Sequence, residues 1–461
     1  MSEHAPSAPT EHAAPTEHAA PTEHPTVAER LMVAASVVSA EPELSAEFTA
    51  TAEHAASNER PTIGERAEST ARAVSTGHVL PIERAPSNEH AVRVERSTVT
   101  DRVVSSEPAV PSERSVPSEH PAYRAFAEVV SDVIAPRAVE VDATEVPRSH
   151  VEALRGVGYF SWTVPKNFGG DPVPAAVKHA ADELLFGADP STALAVTQHD
   201  GPVGQILASR RPAALALLPL LATGERIGGA GFAQIRAWPK RPSTIATAVA
   251  GGYRIDGVVR WLSGWGLVDT AWLGAVDESN NAYVFGVGDL GRPGITVSRP
   301  HLAAVQGSRT VSLTLRDYFL PDEFVTEVVD IATWDSRDGS VAPGKHCAPS
   351  ESGVRLPAVG AIGLARAALA DALATHPDEP SLLRLLAELE EAANTPLPEP
   401  HWRARLDELA IRATTAGLVA AGGQGLLRSD IAQVRARAAL FLQLRGLSPK
   451  VRAARFARYA R

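Results

Sequence analysis

Apolar residues recur at helical spacing from Tyr123 onward, but that spacing stops at Gly228 and returns only at Gly353. Between these points lie short runs such as GGAGFAQIRAW, TIATAVAGGYRIDGVVRWLSG and DTAWLGAVDESNNAYVFGV. Their apolar positions alternate, and turn pairs at Gly251-Gly252, Ser279-Asn280 and Arg292-Pro293 break them up. A chain ordered helices, sheet, helices is neither an all-helical bundle nor an alternating parallel α/β fold. The pattern predicts an α+β multidomain protein: an N-terminal helical domain over 122–226, a central antiparallel β-domain over 227–330 and a C-terminal helical bundle over 331–461.

Residues 1–121 obey different rules. They open on TEHAAPTEHAAPTEHP, with Glu11, Glu17, Glu23 and Glu29 at six-residue intervals, and looser copies follow as SNER, SNEH, PSER and PSEH. Phe48 is the sole aromatic of this segment. So little large apolar surface cannot offset chain entropy, and the regular prolines favour extended backbone, so the segment reads as a disordered acidic Ala/Pro/Glu-His tail. The whole excess charge of the chain, −10, resides there, since residues 122–461 balance acids against bases. Two readings of the tail stand: an inert solubilising segment, or a multivalent docking tail for a protein partner, with Val27–Val38 able to form a helix on that partner. Its histidines are spread along flexible chain without compact ligand geometry, so no metal is expected. Their protonation near pH 6 would cancel much of the acidic charge and make docking pH-sensitive.

The single cysteine, Cys347, leaves no internal disulfide, and no apolar run reaches the about 18 residues that a membrane span takes. An acidic tail on a neutral body offers no phosphate-neutralising surface. These features point to a cytoplasmic protein that binds neither nucleic acid nor membrane.

The central stretch is GYRIDGVVRWLSGWGLVD, Gly252 to Asp269. Tyr253, Ile255, Val258, Arg260 and Leu262 alternate as in half-buried strands, and Asp256-Gly257 reads as a hairpin turn. Trp261 and Trp265 enclose Leu262, Ser263 and Gly264. Such a cluster is either aromatic core or a wall for a planar ring, with a hydroxyl alongside and glycines that let backbone come close.

At this point several segments together resemble the acyl-CoA dehydrogenase superfamily. VPKNFGG at 164–170 is similar to its VPxxxGG turn, LATGERIGGAGFA to the entry of its β-domain, and GGYRIDGVVRWLSG to its GDGYxLNGxKxWITN segment. QGSRTVSLTLRDYFLPDEFV resembles the strand that closes the β-domain, with Gly307, Ser308, Thr310, Asp317 and Pro321 in register. The likeness runs from about Tyr123 to Arg461 and excludes the tail. It implies a flavoenzyme that holds FAD between the β-domain and the bundle and acts on acyl-CoA or a similar small molecule, as a homodimer.

Carried across residue by residue, the resemblance makes Trp261 a wall of the flavin and Ser263 a hydrogen-bond donor near its N5. The family's FALTEP-like contact falls on Phe232 to Ala237, where the threonine and glutamate are replaced and Gln234 is the remaining candidate donor to a flavin carbonyl. Gly422-Gly423-Gln424-Gly425 resembles the GGxG loop that approaches the FAD of a neighbouring subunit, the alternative being an ordinary interhelical turn. The family's RxxFG sequence has no counterpart.

The implied reaction removes an α-proton of an acyl thioester and needs a carboxylate base. The usual glutamate register reads RGLSPKVR, which puts Arg445 in the base position, and a guanidinium cannot accept that proton. The other register used in the family reads Gly353-Val354-Arg355-Leu356 and also lacks a carboxylate; Glu351 is the nearest one. Three functions follow: a dehydrogenase with a relocated base, a flavin monooxygenase or oxidase of the same fold, and a non-catalytic member that binds or assembles. The basic C-terminal segment from Arg428 reads as an amphipathic helix with Ile431, Val434, Ala438, Phe441 and Leu444 as its buried stripe; the alternatives are a cradle for phosphates or a partner for the acidic tail.

Overall fold

A computed structural model describes residues 117–241, 243–336, 358–395 and 400–460. The tail repeats before residue 117, Cys347 and Glu351 lie outside the described residues. Helices come first: α1 (Pro121–Val129), α2 (Arg148–Gly156), α3 (Ala175–Ala188), α4 (Pro190–Val196) and α5 (Asp200–Ser209). Eight strands follow, β1 (Gly228–Gly231), β2 (Ile245–Val249), β3 (Gly252–Leu262), β4 (Thr270–Asp277), β5 (Ala282–Asp289), β6 (Ile295–Ser298), β7 (Val311–Pro321) and β8 (Val325–Asp330). The bundle is α6 (Val359–Thr375), α7 (Pro380–Asn394), α8 (His401–Ala421), α9 (Ile431–Leu442) and α10 (Pro449–Tyr459). This is the α+β order that the periodicity predicts.

The strands form one sheet in the order β6-β7-β3-β2-β4-β5-β8, with β1 joined parallel to β4. Most pairs are antiparallel, and β4 is buried along its whole length. Strands covered on both faces carry near-continuous apolar runs, as TAWLGAVD does here.

One local reading fails. Asp256-Gly257 is not a hairpin turn: β3 runs through it, paired on one side to β2 (Ile245 opposite Asp256) and on the other to β7 (Gly257 opposite Leu315), with a register shift between Ile255 and Gly257. Pairing on both edges overrides the local turn preference. The glycine serves another purpose, because at its φ of 125° a Cβ would lie 2.5 Å from the carbonyl oxygen of Ser243.

Helix starts follow their sequence signals. Asp189 caps α4 by accepting from the Ser191 and Thr192 amides at 2.9 and 3.1 Å, with Pro190 in the first position. Asp430 and Ser448 cap α9 and α10 in the same way. The first helical domain meets the bundle along α3 and α6, where Gly187 and Gly363 let two backbones touch: a Cβ on Gly363 would fall 2.0 Å from the Glu183 carbonyl oxygen. The C-terminal stripe is shifted from the expected one. Val434, Arg435, Ala438, Ala439 and Leu442 are buried on α9, while Leu444 lies past its end and is exposed. Two basic residues of this segment find partners within the body, Arg437 with Asp142 at 2.8 Å and Arg435 with Asp371 and the Gly187 carbonyl.

Among the described residues no helix is long and apolar enough to cross a membrane.

Candidate functional site

The end of β3 is where two of the sequence motifs meet. A register shift between Val259 and Leu262 breaks the alternation, leaving Arg260 and Trp261 both outward, so Trp261 is 50% exposed while Leu262 is fully buried. Beyond the strand, the Gly264 amide donates to the Ser308 carbonyl at 2.8 Å and the Trp265 amide to the Arg309 carbonyl at 3.0 Å. The RWLSG and QGSRT segments are thereby stitched side by side. Their hydroxyls form a chain: Ser263 Oγ is 2.8 Å from Thr310 Oγ1, which is 2.8 Å from Ser308 Oγ. All three residues are buried, next to an indole face that is not.

Gln234 lies in the 3-10 turn Ala233–Ala237 that follows β1, and its side chain is turned into the sheet. Its Nε2 donates to the Gly274 carbonyl and to Thr244 Oγ1, both at 3.0 Å, and Thr244 Oγ1 donates to the same carbonyl at 2.7 Å. Its Oε1 is buried without a hydrogen-bond partner. The amide thus holds the turn against β4.

Gly422 and Gly423 occupy a 3-10 turn, Gly422–Leu426, at the end of α8. Gly422 has φ 59°, and a Cβ on either glycine would meet nothing within 4 Å. The turn is an open, protruding piece of backbone, flanked by the exposed Leu426 and Leu427.

Arg445 stands just after α9, and its guanidinium lies over the Phe186 ring of α3, 5.6 Å from the centroid. Arg403, on the first turn of α8, donates to the carbonyl oxygens of Arg445 and, at 3.4 Å, Gly446. The turn after β1 supplies a third guanidinium: Arg236, in the Gln234 segment, lies 5.4 Å from the Phe232 centroid. Burial, and then the positive charge of Arg403, push both Arg236 and Arg445 down to about 10. Sequence reasoning located Arg445 only as a missing base and passed over Arg236 and Arg403. The available signal was that arginine replaces an expected glutamate twice, at 236 and at 445.

Residues 118–225 match the family model described as acyl-CoA dehydrogenase, N-terminal domain. No curated protein matches the sequence. Among solved structures, butyryl-CoA dehydrogenase from Megasphaera elsdenii aligns with a TM-score of 0.62 at 20% identity, covering 74% of this chain and 97% of that one. Glutaryl-CoA dehydrogenase from Mycobacterium smegmatis aligns with a TM-score of 0.59 at 17% identity, over 73% of this chain and 93% of that one. KijD3, in complex with FMN and dTDP-3-amino-2,3,6-trideoxy-4-keto-3-methyl-D-glucose, aligns with a TM-score of 0.58 at 19% identity, over 74% of this chain and 94% of that one. At such identities the structural likeness speaks to the fold.

Proposed function

We propose that the chain is a member of the acyl-CoA dehydrogenase superfamily, on the match of residues 118–225 and the shared fold, and that it is a flavin-dependent oxidoreductase with the flavin ring seated on the Trp261–Ser263 face of the β-domain. The residues fit such a ring. A half-exposed indole is a planar apolar wall, and the Ser263–Thr310–Ser308 hydroxyl chain beside it has donors to offer. When bound, a flavin supplies a two-electron acceptor; FAD is the form we propose. In this reading Trp261 covers the ring, Ser263 orients it through a hydrogen bond, and the open turn at Gly422 and Gly423 approaches the cofactor of a second copy. The uncovered Val419, Leu426, Leu427, Leu440 and Phe456 on the bundle suit a homodimer, in which they would be buried.

The observation that decides between reactions is Arg445. A guanidinium carries no basic lone pair at neutral pH, so this side chain cannot take a proton from a substrate carbon. That weighs against α,β-dehydrogenation of an acyl thioester by the usual route and favours an oxidase or monooxygenase, whose chemistry does not begin with that base. The test is the absorption spectrum of the purified protein. A yellow protein that consumes oxygen with a reductant, and whose spectrum is unchanged by acyl-CoA without oxygen, bears the reading out. Loss of flavin absorbance on addition of acyl-CoA under anaerobic conditions would instead select the dehydrogenase. A colourless protein that gains no flavin spectrum with added FAD eliminates both and leaves a binding or assembly role.

A further inference from the structure

Two guanidiniums, those of Arg236 and Arg403, meet beside Gly446, and a third, that of Arg445, lies within electrostatic reach of Arg403. A Cβ built on Gly446 would lie 3.2 Å from both terminal nitrogens of Arg403 and 3.7 Å from Nη1 of Arg236. Arg403 and Arg236 therefore flank one glycine, and the residue before that glycine is Arg445. Arg403 sits in the middle with a structural task, since it ends α9 by donating to two carbonyl oxygens. Arg236 and Arg445 each lie within electrostatic reach of it. Each is half-buried with its guanidinium against a phenyl ring, and neither makes an ion pair with a carboxylate among the described residues.

The carboxylates within electrostatic reach are already engaged. Asp182 holds Lys178 Nζ at 2.8 and 2.7 Å and accepts from the Tyr159 hydroxyl at 2.7 Å, while Lys178 also meets Asp200 at 2.9 Å. Asp407 accepts from Arg455 Nε at 3.1 Å and from its Nη2, and lies 3.8 Å from Arg403 Nε. One carboxylate, Asp407, thus faces Arg403 and Arg455 together, while Arg445 feels Asp182 and Asp407 only at a distance and Arg236 makes no ion pair among the described residues. Like charges held half out of water cost free energy unless an anion joins them. Guanidiniums stacked on aromatic faces keep their N–H edges free for oxygen atoms, which suits them to bidentate recognition.

We propose that the Arg236, Arg403 and Arg445 cluster is a subsite for an oxyanion carried by the ligand that this protein binds. The shared chemistry is a carboxylate or a phosphate, and the source is either an acidic substrate or the phosphate of a cofactor. The occupant's role rests on the flavin reading above, whereas the subsite itself is made entirely of the chain's own residues.

The experiment is titration calorimetry on the full-length protein at constant ionic strength, with succinate and inorganic phosphate as probes and chloride as the control. Flavin content is read from the absorbance of the same samples. Wild type binds at least one oxyanion saturably, and Arg236→Met and Arg445→Met each weaken it by about tenfold to a hundredfold, as loss of a charge-assisted pair does. Arg445→Lys, which keeps the charge and loses the fork, falls between; it also carries the comparison if the methionine variant does not fold, as judged by circular dichroism. Tighter succinate assigns a carboxylate source and tighter phosphate a phosphate source. The subsite is overturned by absence of saturable binding to either probe in wild type, or by equal affinity in wild type and all three variants. A protein devoid of flavin that still binds the oxyanion keeps the subsite and removes only the redox function.

Discussion

His199 offers a measurement of how burial governs this fold. Its ring is 1% exposed, lies 5.1 Å from the Phe160 ring, and accepts from the Gly228 amide through Nδ1 at 3.1 Å, at the point where the helical domain hands over to β1. Burial lowers its pKa from the usual 6.5 to about 4, with Asp200 acting to raise it and Lys178 to lower it. The unfolded chain therefore binds a proton that the folded one refuses between about pH 6.5 and pH 4. Stability from this group is complete above the unfolded value and is lost as pH falls toward the folded one. The shift corresponds to about 3 kcal/mol at 1.36 kcal/mol per pKa unit. The structural event is the loss of the Nδ1 acceptor: a doubly protonated ring cannot take the Gly228 hydrogen bond. Urea denaturation of wild type and His199→Asn at pH 7.0 and pH 4.5 isolates the effect. The variant is expected to be less stable at pH 7.0 because the ring's packing is gone, yet to lose about 2 to 3 kcal/mol less than wild type on acidification. Equal losses in the two proteins would refute the reasoning, because His199 would then titrate alike in both states.

Substitutions at three further positions probe the frame around the site. Gly363→Ala puts a methyl group 2.0 Å from the Glu183 carbonyl oxygen, so α3 and α6 must separate; the gain of about 1 kcal/mol in helix propensity is outweighed and the midpoint of thermal unfolding falls. Asp189→Ala strands the Ser191 and Thr192 amides and costs about 2 kcal/mol in denaturant titration, whereas Asp189→Asn costs less because the amide can still accept. Trp402→Phe removes the indole donor that reaches the Ala392 carbonyl at 2.6 Å and costs about 1 to 3 kcal/mol, read from the same titration.

The order of elements was legible because periodicity is a local property: the spacing changes at Gly228, and β1 starts there. Asp256-Gly257 misled for the opposite reason, since its strand is set by β2 and β7, which lie far away in sequence. The same limit applies to the candidate site. Trp261 is read as a wall through the resemblance alone; its exposure comes from a register shift between Val259 and Leu262, which depends on β7, far away in sequence. The donor capacity of Gln234 was legible, but its direction was not, because the Gly274 carbonyl that captures it belongs to another strand. Leu444 was expected inside because helical spacing was carried past Leu442, where α9 ends.

The two arginines at registers where the resemblance expects glutamate are best understood together. A single reversal, at Arg445 alone, would set a guanidinium beside an acid at 236 and could close into an ion pair. With arginine at 236 as well, no acid comes with the change, and both guanidiniums remain without a carboxylate among the described residues. Nor do the neighbouring buried acids stand in as a base. Asp182 is occupied by Lys178 and the Tyr159 hydroxyl, and Asp407 by Arg455 and Arg403, so accepting a substrate proton would require breaking a buried ion pair. On the proposed reading, the same residues that leave no acceptor for a carbon-bound proton would give an anion a place between them.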